Sequence, residues 1–316
     1  MKRVMTLAAT AAFGLGMAAH AEDAKIKIGA VQMVAEHEWF RTIELGMKAA
    51  ADKAGAELLV ANAQGQVDTE AAMVDTFVAA GVNAVLISAL NSDASVPALK
   101  RAVDSGATLI NYNTTINSPI MTTFVGVDNT ELGAQMGRFV ADYVAKNLGG
   151  EAQVALLTIP KYEVGQQRRE GFVAEISKVP GITIVAEQEG ELPELSANTL
   201  DTILQANPEV DIVWAANEGG TVGAITAVKA SGAAVKVFGT DMSLQTAQAL
   251  TDPATNLVAV STQDPYSIGF KSVELPLAKI SGKAIPASEI VPLEMYTADA
   301  PDAVNAYLEK YKALSQ

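Results

Sequence analysis

Ile-Lys-Ile-Gly-Ala-Val-Gln-Met at 26–33, Trp-Phe-Arg-Thr-Ile-Glu-Leu-Gly-Met-Lys-Ala-Ala-Ala-Asp-Lys-Ala at 39–54 and Gly-Ala-Glu-Leu-Leu-Val-Ala at 55–61 decide the fold. The first run is a short apolar stretch of strand type. The second has helical periodicity and stops at Gly55, and residues 57–61 form a second strand. The unit recurs downstream, with a helix over 67–80 closed by Gly81, a strand over 84–88, a helix over 96–105 and a strand over 108–112. Strands separated by helices in this way require crossover connections, hence a parallel sheet covered on both faces.

A second series begins near residue 153. Strands are predicted over 153–157, 183–187, 212–215, 235–240 and 257–262, with helices over 167–177, 197–205 and 220–230 and another starting near Leu244. The two series also resemble each other. Met73-Val74-Asp75-Thr76-Phe77 before 83–88 matches Thr199-Leu200-Asp201-Thr202-Ile203 before 211–216. The expected fold class is α/β, with two similar doubly wound parallel-sheet domains. Ligands of such sheets bind at the carboxyl ends of the strands, and two facing domains leave a cleft between them.

Composition agrees with a globular chain, at 49% hydrophobic and 18% charged residues. The length of 316 residues suits about two domains. A formal charge of −14 argues against nucleic acid as a partner, because phosphate binding needs an excess of Lys and Arg. The absence of cysteine removes disulfides, thiolate metal sites and a Cys nucleophile. Residues 1–21 read as a cleaved export signal: Lys2 and Arg3, an apolar run over 5–19, then Ala19-His20-Ala21. Cleavage takes the formal charge to −16 and leaves His37 as the only histidine. The expected location is the periplasm, and neither a metal nor a cofactor is expected.

Nucleotide and metal motifs are missing. No GxGxxG follows the first strand, no GxxxxGK[ST] or HExxH occurs, and no nucleophile has an evident base. Polar and aromatic residues instead collect where strands end. Glu36, His37, Glu38, Trp39 and Phe40 follow the first strand, and Asn111, Tyr112 and Asn113 end the fourth. Arg168 and Arg169 are placed at the start of a helix. Asn217 and Glu218, Asp241, and Gln263 with Asp264 follow later strands. A sugar or polyol calls for this mixture, with rings for its C–H faces and carboxamide, carboxylate and guanidinium groups for adjacent hydroxyls.

These segments, in this order, resemble the type I periplasmic sugar-binding proteins of ABC importers, the ribose- and allose-binding group, over essentially the whole mature chain. His37-Glu38-Trp39-Phe40 stands at that group's asparagine-proline-phenylalanine-phenylalanine pattern, and Val127-Asp128-Asn129 at its first domain crossover. Arg168-Arg169-Glu170-Gly171-Phe172 resembles its arginine-x-x-glycine-phenylalanine element. Ala216-Asn217-Glu218, Gly239-Thr240-Asp241 and Thr262-Gln263-Asp264-Pro265 stand at its asparagine–acid pair, glycine-x-aspartate and second-crossover glutamine.

The resemblance implies ligand contacts from Trp39, Phe40, Arg168, Asn217, Asp241 and Gln263, and puts the second domain's aromatic at Leu192 or a neighbour. It also implies a three-strand hinge near 127, 263 and 292. The domains would then be 22–127 plus 264–292 and 128–263 plus 293–316. Ribose binders end the fourth strand with aspartate-arginine, and Tyr112-Asn113 stands there instead. The pocket class therefore carries over and ribose does not, with Tyr112 and Asn113 as further candidate contacts.

The residues leave bland roles open as well. Trp39 and Phe40 could be core packing, Asp241 a helix cap, Arg168 surface charge, Asn217 a turn residue and Gln263 a backbone brace. Trp214 is expected in the core, His37 at the cleft rim and Asp128 at a hinge or helix cap. The acids Glu36, Glu38 and Glu218 are either solvated charge or a preference for an amino sugar. The resulting expectation is a non-enzymatic, monomeric receptor. It captures a monosaccharide or polyol and passes it to a membrane ABC permease with its cytoplasmic ATPase. The alternative is a sensory subunit that presents its ligand to a chemoreceptor or sensor kinase.

Overall fold

The structure, a computed structural model, describes residues 25–35 and 37–314. The export signal, Glu36 and the two C-terminal residues lie outside them. Ten α-helices and twelve strands are found among the described residues, and none of those helices is long and apolar enough to cross a membrane.

The strands form two six-stranded sheets of the same order, β11-β5-β4-β3-β1-β2 and β12-β10-β9-β8-β6-β7. The first holds β1 (Lys27–Gln32), β2 (Glu57–Asn62), β3 (Ala84–Ile87), β4 (Thr108–Tyr112), β5 (Thr123–Gly126) and β11 (Ser288–Ile290). The second holds β6 (Ala152–Thr158), β7 (Ile182–Glu189), β8 (Ile212–Ala215), β9 (Lys236–Thr240), β10 (Leu257–Thr262) and β12 (Glu294–Thr297). All pairings are parallel except β12 on β10, an antiparallel edge that apolar runs do not announce. The helices α1 (Glu38–Ala54), α2 (Val67–Ala79) and α3 (Val96–Asp104) alternate with the first four strands. Helices α5 (Glu163–Ile176), α6 (Pro193–Ala206), α7 (Glu218–Ser231) and α8 (Leu244–Leu250) alternate with the second series.

The internal repeat falls on equivalent elements, α2–β3 in one half and α6–β8 in the other. A matched brace goes with it. Lys27 N donates to Asn83 Oδ1 at 2.8 Å where β1 starts, and Gln153 N donates to Asp211 Oδ2 at 2.8 Å where β6 starts. The second core includes Trp214, fully buried and stacked on Phe172 with centroids 4.2 Å apart.

The chain passes between the sheets at 127–128, 263–264 and 291–293. After the first crossing α4 (Asn129–Asn147) packs on α5, and after the second α9 (Pro265–Ile280) packs on α1. Both contacts are glycine-close. A Cβ on Gly133 would lie 1.8 Å from the Arg168 carbonyl oxygen, and one on Gly171 would lie 1.9 Å from that of Thr130. In the other half, a Cβ on Gly46 would lie 2.1 Å from the Tyr266 oxygen and one on Gly269 2.0 Å from the Ile43 oxygen. The last helix, α10 (Pro301–Leu314), covers the second sheet near α8.

Asp128, at the first crossing, caps α4 by accepting the Glu131 backbone N–H at 3.0 Å. Asp128→Ala is expected to destabilise by about 1 kcal/mol, a fall of about 2–4 °C in Tm by scanning calorimetry.

Candidate ligand-binding site

Each half ends its fourth strand in the same way. Asn113 follows β4 and Asp241 follows β9, both with left-handed backbone, φ 64° and 65°. The Asn113 amide donates to Val125 O at 3.0 Å on β5, and the Asp241 amide to Ser261 O at 2.9 Å on β10. Asn and Asp tolerate this conformation better than other non-glycine residues. Both side chains line one cavity between the two sheets, enclosing ≈ 560 Å³ with its open mouth included.

The first half contributes Met33, Val34, His37, Trp39, Phe40 and Asn113 to the wall. The second contributes Ile159, Tyr162, Val164, Arg168, Glu191, Asn217, Glu218 and Asp241. Trp39 and Phe40 open α1 and meet edge to face, centroids 4.9 Å apart at 89°. They are also core residues, so the packing and cavity-lining roles coincide. The Trp39 indole N–H is buried with no acceptor among the described residues. Asn113 Nδ2 donates to Ser88 Oγ at 3.0 Å.

Arg168 lies in the second turn of α5 rather than at its start, and it is 3% exposed. Its Nε donates to Asn129 Oδ1 at 2.9 Å, and Nη1 donates to Ala216 O at 2.9 Å and Asp241 Oδ2 at 2.7 Å. No acceptor among the described residues takes Nη2, which leaves its N–H donors for a ligand. Asp241 does not cap α8, because Ser243 and Thr246 form that capping box. Its Oδ1 accepts from Gln263 Nε2 at 3.1 Å. Each carboxylate oxygen keeps a lone pair for a further donor. Asn217 caps α7, accepting the Gly220 N–H and donating to Glu191 O, both at 2.9 Å.

Three expectations need correction. Tyr112 does not line the cavity. It is fully buried in the first core, its hydroxyl donates to Val31 O at 2.8 Å, and burial keeps the phenol protonated. Gln263 is not on the wall either and acts as a brace on Asp241, with Oε1 buried and without a partner among the described residues. Leu192 precedes α6 and is 48% exposed, whereas the second half's aromatic in the wall is Tyr162. Tyr162 follows β6 as Trp39 follows β1, so the internal repeat was the signal that could have found it. Met33, Val34, Ile159, Val164 and Glu191 were also missed, and apolar residues beside strands carry no sequence mark that separates wall from core.

The halves touch across the cavity. Glu38 Oε1 accepts the Leu244 N–H at 2.9 Å, and Ser92 Oγ donates to Glu163. Glu218 is half-buried, and its carboxyl is pushed up to about 7. Burial is the largest cause, followed by the Glu38 and Asp241 carboxylates. Among the described residues no cluster of three His, Asp or Glu side chains could hold a metal ion.

Two sheets of one design, with facing strand ends and a cavity walled by both, define a two-lobed binding protein. The chain belongs to the periplasmic binding protein domain family, which matches residues 28–284. It is 30% identical over 295 residues to the ABC transporter periplasmic-binding protein YphF of Escherichia coli K12, covering 90% of this chain and 89% of that one. It is 28% identical over 298 residues to the ribose import binding protein RbsB of the same organism, covering 93% and 98%. Among solved structures, the D-allose-bound solute-binding protein of Actinobacillus succinogenes 130z superimposes with a TM-score of 0.82 at 24% identity, covering 88% of this chain and 100% of that one.

Proposed function

We propose that the protein captures a monosaccharide or related polyol in the cavity and delivers it to a membrane ABC permease with its cytoplasmic ATPase. One observation carries the reading. The Trp39 and Phe40 rings of one half and the Arg168–Asp241 pair of the other share a single wall, suited to the C–H face and the hydroxyls of a sugar. The relatives support it, since one is named for ribose import and a structural neighbour holds D-allose. The protein is a binding component and not an enzyme. It acts in the periplasm as a monomer, after removal of residues 1–21.

The moving bodies are 22–127 plus 264–292 and 128–263 plus 293–316, hinged at the three crossings. A ligand held by both favours the closed arrangement because only that arrangement offers all the contacts. Ribose is not the expected ligand, because the fourth strand offers Asn113 alone to the cavity and turns Tyr112 into the core.

The test is thermal unfolding of mature protein, refolded to strip carried ligand, against pentoses, hexoses, deoxy and amino sugars, polyols and amino acids. At about 1,000 times its Kd a ligand stabilises by about 4 kcal/mol. A shift with a sugar or polyol is the expected result. A shift with an amino acid alone, or with nothing, overturns the proposal.

A further inference from the structure

The titratable side chains of the wall are His37, Tyr162, Arg168, Glu191, Glu218 and Asp241. Arg168 and Asp241 neutralise each other at 2.7 Å. Glu191 lies near the Tyr162 hydroxyl and the Lys161 ammonium. Glu218 is placed differently. Glu38 and Arg41 face it from α1, Asp241 and Ser243 from the segment after β9, and the Tyr307 phenol from α10. Of the two carboxylates among these groups Asp241 is held by Arg168, Glu38 is the other, and Arg41 is a cation facing Glu218 among the described residues. Beside it the wall is largely apolar or aromatic, through Val34, Ile159, Val164, Trp39, Phe40 and Tyr162. A poorly compensated carboxylate in such surroundings acts strongly on any charge brought next to it, and the negative ring faces add attraction for a cation.

We infer that Glu218 makes the cavity selective for a ligand carrying a protonated amine, an amino-substituted sugar or polyol, over its neutral hydroxyl counterpart. The ammonium donates to the Glu218 carboxylate and offsets its charge. The inference rests on the carbohydrate reading above and narrows it.

The pH dependence follows with a definite sign. The Glu218 carboxyl lies at about 7 with the two halves placed as they are here, above the usual 4.5. Closing over a neutral ligand therefore takes up a proton and weakens as pH rises toward 7. An ammonium takes the place of that proton, so its binding changes little over the same range while that of the neutral ligand falls, and the ratio between them rises.

The experiment is titration calorimetry of refolded mature protein with matched pairs. These are D-glucosamine and D-glucose, D-galactosamine and D-galactose, and 1-amino-1-deoxysorbitol and sorbitol, with ethanolamine and putrescine as amines that are not sugars. The amino member of at least one pair is expected to bind about tenfold tighter or more. In Glu218→Gln that ratio falls to about twofold or less. The wild-type ratio also rises between about pH 5 and about pH 7, a readout independent of any variant. A neutral member that binds as tightly, or a ratio unchanged in E218Q, overturns the inference and leaves the carbohydrate reading standing. Binding of ethanolamine or putrescine alone overturns both, and binding of nothing in the panel overturns the inference while the wider sugar screen decides the carbohydrate reading.

Discussion

Arg168→Met is expected to destabilise the protein by about 3–5 kcal/mol and to abolish measurable ligand binding. The side chains of Arg168 and Asp241 are 4% and 7% exposed, so removing the guanidinium strands a carboxylate away from water with Gln263 as its remaining partner. It also leaves Asn129 Oδ1 and Ala216 O without their donor. Urea unfolding would measure the loss. A second substitution separates stability from binding. In Arg168→Met/Asp241→Asn the stranded charge is gone and asparagine tolerates the left-handed backbone, so much of the stability returns while binding does not. Recovery of binding in the double variant would remove Arg168 from the site. The Lys100–Asp104 pair is nearly as short at 2.8 Å, but both side chains are 60% exposed. Its loss is expected to cost less than about 1 kcal/mol, so burial rather than distance sets the scale.

Gly171→Ala is expected to cost about 3 kcal/mol and to weaken binding about tenfold or more, although residue 171 does not line the cavity. The added methyl would lie 1.9 Å from the Thr130 carbonyl oxygen, and backbone cannot give way as a flexible side chain would. Helices α4 and α5 must part, and Arg168 moves with α5. Gly269→Ala should act alike on α1, which carries Trp39 and Phe40. Urea unfolding and calorimetry on the two variants check both effects. Affinity unchanged despite a lowered unfolding free energy would show that the helix spacing does not set the position of the site.

Much of this architecture could be read from the chain because its signals are local. Apolar runs bounded by Gly55 and Gly81 mark strand and helix ends, and the 73–77 and 199–203 segments expose the duplication. Asn113 and Asp241 were legible for a similar reason, as Asx residues placed directly after a strand. Tyr112 was not. Strand β4 is covered on both faces, so alternation of polar and apolar residues is lost and nothing local says which way a side chain turns. The span of α5 was read too short at its start, which set Arg168 one turn too early. Tyr162 was marked only through the internal repeat, and Glu191 depends on how the second half is folded toward the first, a relation with no local mark. The antiparallel β12 edge is likewise set by the third crossing and not by its own residues.

The glycine-locked helix pairs have a consequence for how such a receptor can change its cargo. Each pair joins a helix that leaves a crossing to a helix that carries recognition groups, through backbone contacts indifferent to what the cavity holds. Asn113, Tyr162, Glu191 and Glu218 stand at or just beyond strand ends, clear of those contacts. Exchanging them re-addresses the cavity while the joints keep their fit. One scaffold can thus be refitted for a new solute by a handful of substitutions that leave the joints between its helices untouched.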